Sequence, residues 1–237
     1  MKEIKILHLY SRLLSLYGEY GNVDYLAKVL THKGNTVTLD RAESIPADLS
    51  GYDLVFTGAG TEADIMVAAE DIAKGGAADY IAKGGLWLAT GNSMALLGGE
   101  IKYDTLTAKG LGVMGFATKM SREKRWLGDA LTDAANIFGA QIIGYINSSS
   151  VYEGIDEGLL NFALGASLGN DKVGSADGFA YKGVVATQLT GPLLVKNPAA
   201  LKFFYEKLTG EALEIEADHP LQMAYDNALK QLSARIG

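Results

Sequence analysis

The chain contains no cysteine, only three histidines and four prolines among 237 residues. The missing thiol excludes disulfides, thiolate metal sites and every cysteine-nucleophile mechanism. Without a His pair at ligand spacing, metal binding has no candidate set either, and no cofactor is expected. Basic residues are outnumbered, 21 Lys and Arg against 28 Asp and Glu, for a net charge of −7. A nucleic-acid surface needs clustered cations, so no nucleic-acid partner is expected. The one basic cluster, Lys119 to Arg125, is short and reads as a solvated loop. No leader-like start and no apolar run long enough for a membrane span is present, which implies a cytoplasmic protein.

What is there is an ordinary globular composition, 48% hydrophobic and 21% charged. IKILHLY (Ile4 to Tyr10) is a β-rich run. After a Gly-containing loop, Val23, Leu26, Ala27 and Leu30 recur at helical spacing, and Gly34 is a natural stop. TVTLDRA and DLVFTGAG read as the next strands, the second apolar enough to be buried on both faces of a parallel sheet. Helices over Glu62 to Lys74 and Ala77 to Lys83 follow, then the strand LWLAT and a further helix after Gly91. This alternation points to a doubly wound α/β fold. Beyond Lys109 the segments shorten and read as antiparallel or mixed strands. Asn197 to Thr209 is a helix capped by Asn197 with Pro198 first, and Asp218 to Arg235 is another.

GLWLATGNSMALLGG has the form of a strand, a one-residue turn and a helix, the mount on which many α/β enzymes present a nucleophile. Glycine stands at the turn, Gly91. Ser93 and Thr90 flank it, but a hydroxyl nucleophile needs an adjacent base. Of the histidines, His8 falls within the first strand, His32 closes a helix, and nothing brings His219 near Ser93. The GAG of Gly58 to Gly60 and the GLG of Gly110 to Gly112 lack the spacing of a nucleotide-binding loop.

SLYGEYGNVDYL (Ser15 to Leu26), DLVFTGAG, GLWLATGNSMALLGG, RWLGD and YKGVVATQLTGPLLVKNP (Tyr181 to Pro198) occur in this order. Together they resemble the class I glutamine amidotransferases of the cobyric acid synthase-like group, over roughly the first 205 residues. The resemblance implies a three-layer α/β/α, flavodoxin-like class I glutaminase fold with a mostly parallel central sheet. It also implies a cysteine on the elbow that attacks the glutamine amide, a histidine that assists it, and ammonia delivered to a Mur-ligase-like partner subunit.

Carried onto this chain, the nucleophile position falls on Gly91 and the histidine position on Thr190, in QLTGPLL. Glycine has no side chain, and threonine does not exchange a proton near neutral pH. The glutamine that usually follows the elbow falls on Ala95, the oxyanion loop reads GAGT (Gly58, Ala59, Gly60, Thr61), and a FENHSG-like stretch reads YINSSS. The framework is kept while the pocket is altered, so a glutaminase site that has been dismantled is expected.

Arg125 falls where the family holds its glutamine substrate, and either grips a ligand carboxylate or pairs with an acidic neighbour. Asn147 reads as a strand-end residue that satisfies backbone groups. The expected organisation is an amidotransferase-like domain over residues 1–209 and a C-terminal helical extension over 210–237. Leu221, Ala224, Tyr225, Ala228 and Leu232 share one face of that helix, for its own core or for a partner.

Three functions remain open at this point. One is a non-catalytic subunit for a Mur-ligase-like enzyme. Another is a small-carboxylate binder using Gly58, Ala59, Gly60, Asn92, Ser93 and Arg125. The third is a hydrolase with Ser93 or Thr190 as replacement nucleophile.

Overall fold

The computed structural model describes residues 1–123, 125–156, 158–165 and 176–236. Four parallel strands lead the chain: β1 (Glu3–Leu9), β2 (Thr36–Ala42), β3 (Leu54–Thr57) and β4 (Trp87–Thr90). They alternate with α1 (Gly21–His32), α2 (Glu62–Ile72) and α3 (Ala77–Ala82), as the sequence periodicity predicts. In α1 it is Val23, Leu26 and Leu30 that are buried, and Thr61 starts α2 with a reciprocal capping box to Asp64.

The later strands are short: β5 (Glu100–Tyr103), β6 (Leu106–Lys109), β7 (Ala117–Met120), β8 (Trp126–Thr132), β9 (Ile143–Ser148), β10 (Ser150–Glu153) and β11 (Leu160–Leu164). They are followed by β12 (Ala176–Asp177), β13 (Phe179–Tyr181), β14 (Val184–Thr187) and β15 (Leu189–Thr190). The main sheet has the order β13-β14-β4-β3-β1-β2, parallel except for the edge strand β13. The remaining strands form two smaller sheets, of order β10-β7-β5-β6 and β12-β11-β8-β9-β15. The helices α4 (Leu193–Lys196), α5 (Pro198–Thr209) and α6 (Pro220–Ser233) complete the chain.

Strand alternation splits the main sheet's side chains into two cores. Leu7, Leu9 and Val55 pack against Ile65, Ala69 and Ile72 of α2 on one face. Ile4, Ile6 and Phe56 pack against Leu26 of α1 and Leu201 and Phe204 of α5 on the other. Helices therefore sandwich a mostly parallel sheet, the α/β architecture expected.

Three expectations are corrected in detail. The segment after Gly91 is a 3-10 helix, Gly91–Leu97, rather than an α-helix. Its last carbonyls accept hydrogen bonds from Leu111 and Val113, so the ladder of a longer helix is pre-empted. Asn197 precedes α5, but its side chain makes no cap; it brackets the Ile143 backbone of β9 instead, with bonds of 2.8 and 2.9 Å. Lys119 belongs to β7, paired with Glu153, rather than to a solvated loop, and Lys124 lies outside the described residues.

No helix among the described residues is long and apolar enough to cross a membrane. At the C-terminal end, only Leu221 of α6 is fully buried. Polar ties add to it: Tyr225 donates to the Gln141 carbonyl at 2.7 Å, and Arg235, just past α6, pairs with Asp129.

Candidate functional site

In parallel α/β sheets, sites form beyond the carboxyl ends of the strands. Here β3 ends at Thr57 before the loop Gly58 to Gly60, β4 ends at Thr90 before Gly91, and the chain leaving β14 reaches Thr190. The turn is left-handed at Gly91, with φ +62°, a conformation that glycine adopts at least cost.

The space above it is filled. A Cβ at position 91 would stand 2.6 Å from the Ala59 Cβ and 3.2 Å from the Thr190 Cγ2. Ala59 is itself buried, so neither a larger side chain nor a substrate atom has room there without rearrangement. Gly58 and Gly60 are there for close approach, since a Cβ at either would collide with Leu14 or Glu19 atoms at 2.7 Å or less.

The polar groups around the elbow satisfy one another. Asn92 exchanges two hydrogen bonds with the Gly60 backbone, accepting from its N–H at 3.0 Å and donating to its carbonyl at 2.8 Å. The Gly60 amide is thereby engaged rather than free for an oxyanion. The Ser93 hydroxyl lies 2.9 and 3.0 Å from the carbonyl oxygens of Thr90 and Thr57, and Thr190 donates to the Tyr145 carbonyl at 3.0 Å. Carbonyls accept hydrogen bonds but are not general bases.

One residue was missed in the sequence. Glu19, inside LYGEYGN, is completely buried beside the elbow and accepts from Thr90 Oγ1, from Asn22 Nδ2 at 3.1 Å and from the Gly191 amide at 2.7 Å. Burial raises its pKa to about 7, against the lowering effect of these donors and of Lys196. Asn22 in turn accepts from the Leu194 amide at 2.9 Å. Glu19 and Asn22 therefore clamp the first motif stretch to the last. Thr90 and Glu19 have the form of a nucleophile and base, yet both have zero solvent exposure, so no substrate reaches them.

Arg125 lies at the rim. One arm of its guanidinium binds Glu62, at the start of α2, and the other donates to Asn147 Oδ1 at 2.9 Å. Glu62 also accepts from Ser149 Oγ at 2.7 Å, and Asn147 donates to the Tyr17 hydroxyl at 2.7 Å. Asn147 thus joins two side chains, Arg125 and Tyr17, rather than serving backbone groups, because its position on β9 directs it to the Arg125 side. Of the two readings of Arg125, the acidic neighbour is the one the structure displays.

The histidines stand apart from this cluster's hydrogen bonds. His8 is buried with neither ring nitrogen bonded, and His219 accepts from the Leu221 amide at the start of α6. Among the described residues, no group of three or more His, Asp or Glu is placed to hold a metal ion.

No family profile matches the chain. It is 30% identical over 236 residues to "lipid II isoglutaminyl synthase (glutamine-hydrolyzing) subunit GatD" from Streptococcus pneumoniae, across 97% of this chain and 88% of that protein. It is 29% identical to the GatD subunit from Staphylococcus aureus, across 99% of this chain and 100% of that protein. These matches extend the likeness past residue 205 into the C-terminal segment. Among solved structures, a glutamine amidotransferase aligns with a TM-score of 0.55 at 16% identity, covering 86% of this chain and 99% of the other. PurLQS from Thermotoga maritima aligns with a TM-score of 0.54 at 14% identity, covering 95% and 99% respectively. At such identities the structural likeness speaks for the fold, whereas the nearly full-length match carries the family: the chain belongs to the GatD-type glutamine amidotransferases.

Proposed function

We propose that this protein is a GatD-like subunit that does not hydrolyse glutamine, and that it acts in the cytoplasm by binding a Mur-ligase-like, amide-forming partner in cell-wall precursor amidation. The observation that carries the proposal is the crowding at the elbow, where a Cβ on residue 91 would come within 2.6 Å of Ala59. With no cysteine in the chain, a carbonyl-bound Ser93 and no histidine in the cluster's hydrogen bonds, amide hydrolysis has neither a nucleophile nor a proton carrier. The vestigial pocket comprises Gly58, Ala59, Gly60, Asn92, Ser93 and Arg125, with Gly91 and Thr190 at the former catalytic positions.

Neither alternative gains from the geometry. A carboxylate ligand at Arg125 would have to displace Glu62, and a Ser93 or Thr190 nucleophile has only backbone carbonyls beside it. The partner role draws on the relatives, which are named as subunits.

The test is to co-express the chain with the Mur-ligase-like protein of its own source, and to assay ammonia release from glutamine by the chain alone and by the complex. A stable complex without glutamine hydrolysis by the chain is expected. Glutamine turnover by the homogeneous chain, or failure of the two proteins to associate at micromolar concentration, would overturn the proposal.

A further inference from the structure

In the sheet β10-β7-β5-β6, the hydroxyls of Thr118, Ser150 and Tyr152 have no hydrogen-bond partner among the described residues, and all three residues have zero solvent exposure. Antiparallel pairing sets Tyr152 directly opposite Thr118, and alternation puts Ser150, two residues before Tyr152, on the same inward face. Their neighbours Lys119 and Glu153 point the other way and pair with each other at the surface. On a strand, side chains stand away from the ladder, so the back-bond that a helical Ser or Thr makes to the carbonyl one turn earlier is not open to these hydroxyls.

The surroundings offer little else. Phe116 meets the Tyr152 ring edge-on at 5.8 Å and brings no polar side-chain atom. Burial raises the Tyr152 pKa, and the Ser150 hydroxyl is near enough to oppose that rise, yet the two make no hydrogen bond of normal length and direction. The Asp177 carboxylate acts on Tyr152 through space, but its own bonds go to Thr187 and Gln188.

A buried hydroxyl without a partner forfeits its hydration and receives nothing in return. Folded proteins ordinarily satisfy such groups with an internal water, which joins about two to four polar atoms. Two hydroxyls that approach without bonding mark the place for a bridge, and water suits it as both donor and acceptor. We propose that Ser150 and Tyr152 bind an internal water molecule between their hydroxyls, on the inward face of β10. The site draws on none of the residues around Gly91.

The test combines a high-resolution crystal structure of the full chain with water magnetic relaxation dispersion, which detects long-lived internal waters in solution. Density for a water within hydrogen-bond reach of both Ser150 Oγ and Tyr152 Oη is expected. Tyr152→Phe should remove one long-lived water from the dispersion amplitude, and Ser150→Ala, the milder change, should remove the same one. A direct Ser150 to Tyr152 hydrogen bond with no water beside it, or a dispersion amplitude unchanged in folded Ser150→Ala and Tyr152→Phe, would overturn the assignment.

Discussion

Glu19 accepts the Gly191 amide hydrogen at 2.7 Å, across 172 residues of sequence. Held there by burial, its pKa rises from 4.5 to about 7. The folded state then binds more protons than the unfolded chain between these values, so stability is fully present below about 4.5 and falls as pH rises through about 7. The loss is on the order of 3 kcal/mol. Asp177, buried and raised to about 6, adds a slope of the same sign. Denaturant titrations from pH 4.5 to 8 should be markedly flatter for Glu19→Gln; an unchanged slope would remove Glu19 as the source.

His8 acts in the opposite direction. Burial, and secondarily the Arg41 charge, lowers its pKa from 6.5 to about 4. The unfolded chain takes up the proton first, so stability falls as pH drops from about 6.5 to about 4. Its window overlaps that of Glu19, and the two slopes partly cancel in the native protein. His8→Phe, which fits the apolar face where His8 meets Phe56 at 5.0 Å, should therefore steepen the loss of stability toward higher pH. A pH profile identical to that of the native chain would contradict this.

Gly91→Cys should cost about 2–4 kcal/mol, combining a left-handed backbone with a clash in a packed core. Ammonia release from glutamine should remain at the background level. Adding Ala59→Gly removes the atom nearest to the new side chain and should restore about 1 kcal/mol or more of that loss. Chemical denaturation of the single and double variants measures both effects; a fully stable Gly91→Cys would mean that the elbow is not crowded.

Arg125→Ala leaves Glu62, whose side chain is 14% exposed, with Ser149 as its remaining side-chain donor. The expected cost is about 1–2 kcal/mol, because a partly buried carboxylate loses its charged partner while solvent screens what is left. Glu62→Gln should cost less, and the coupling in the double variant should be about 0.5–1 kcal/mol. Additivity of the two substitutions would show that the pair contributes nothing.

Periodicity made β1 to β4 and α1 to α3 readable, because apolar spacing reports directly on which face is buried. Asn197 shows where such reading stops: Pro198 opens α5 as expected, but the Asn197 side chain turns to the Ile143 backbone, a demand set 54 residues away. Gly91 and Thr190 could be singled out from the motif alone. Glu19 could not, since an acidic residue in a Gly-rich loop reads as exposed until Thr90, Asn22 and Gly191 are found around it. Glu62 was hidden for the same reason, as its role depends on Arg125 arriving from 63 residues further along the chain.

Gln188 separates β14 from β15, so one short run of chain belongs first to the parallel sheet and then to an antiparallel one. Its amide and side chain are both held by Asp177, at 3.1 and 3.2 Å. The two sheets are consequently stitched at Gln188, and again at Gly178 between β12 and β13, so that neither can peel away without pulling the other. Amide hydrogens of residues 184–190 should exchange only on global opening, which would make this seam the slowest part of the protein to yield.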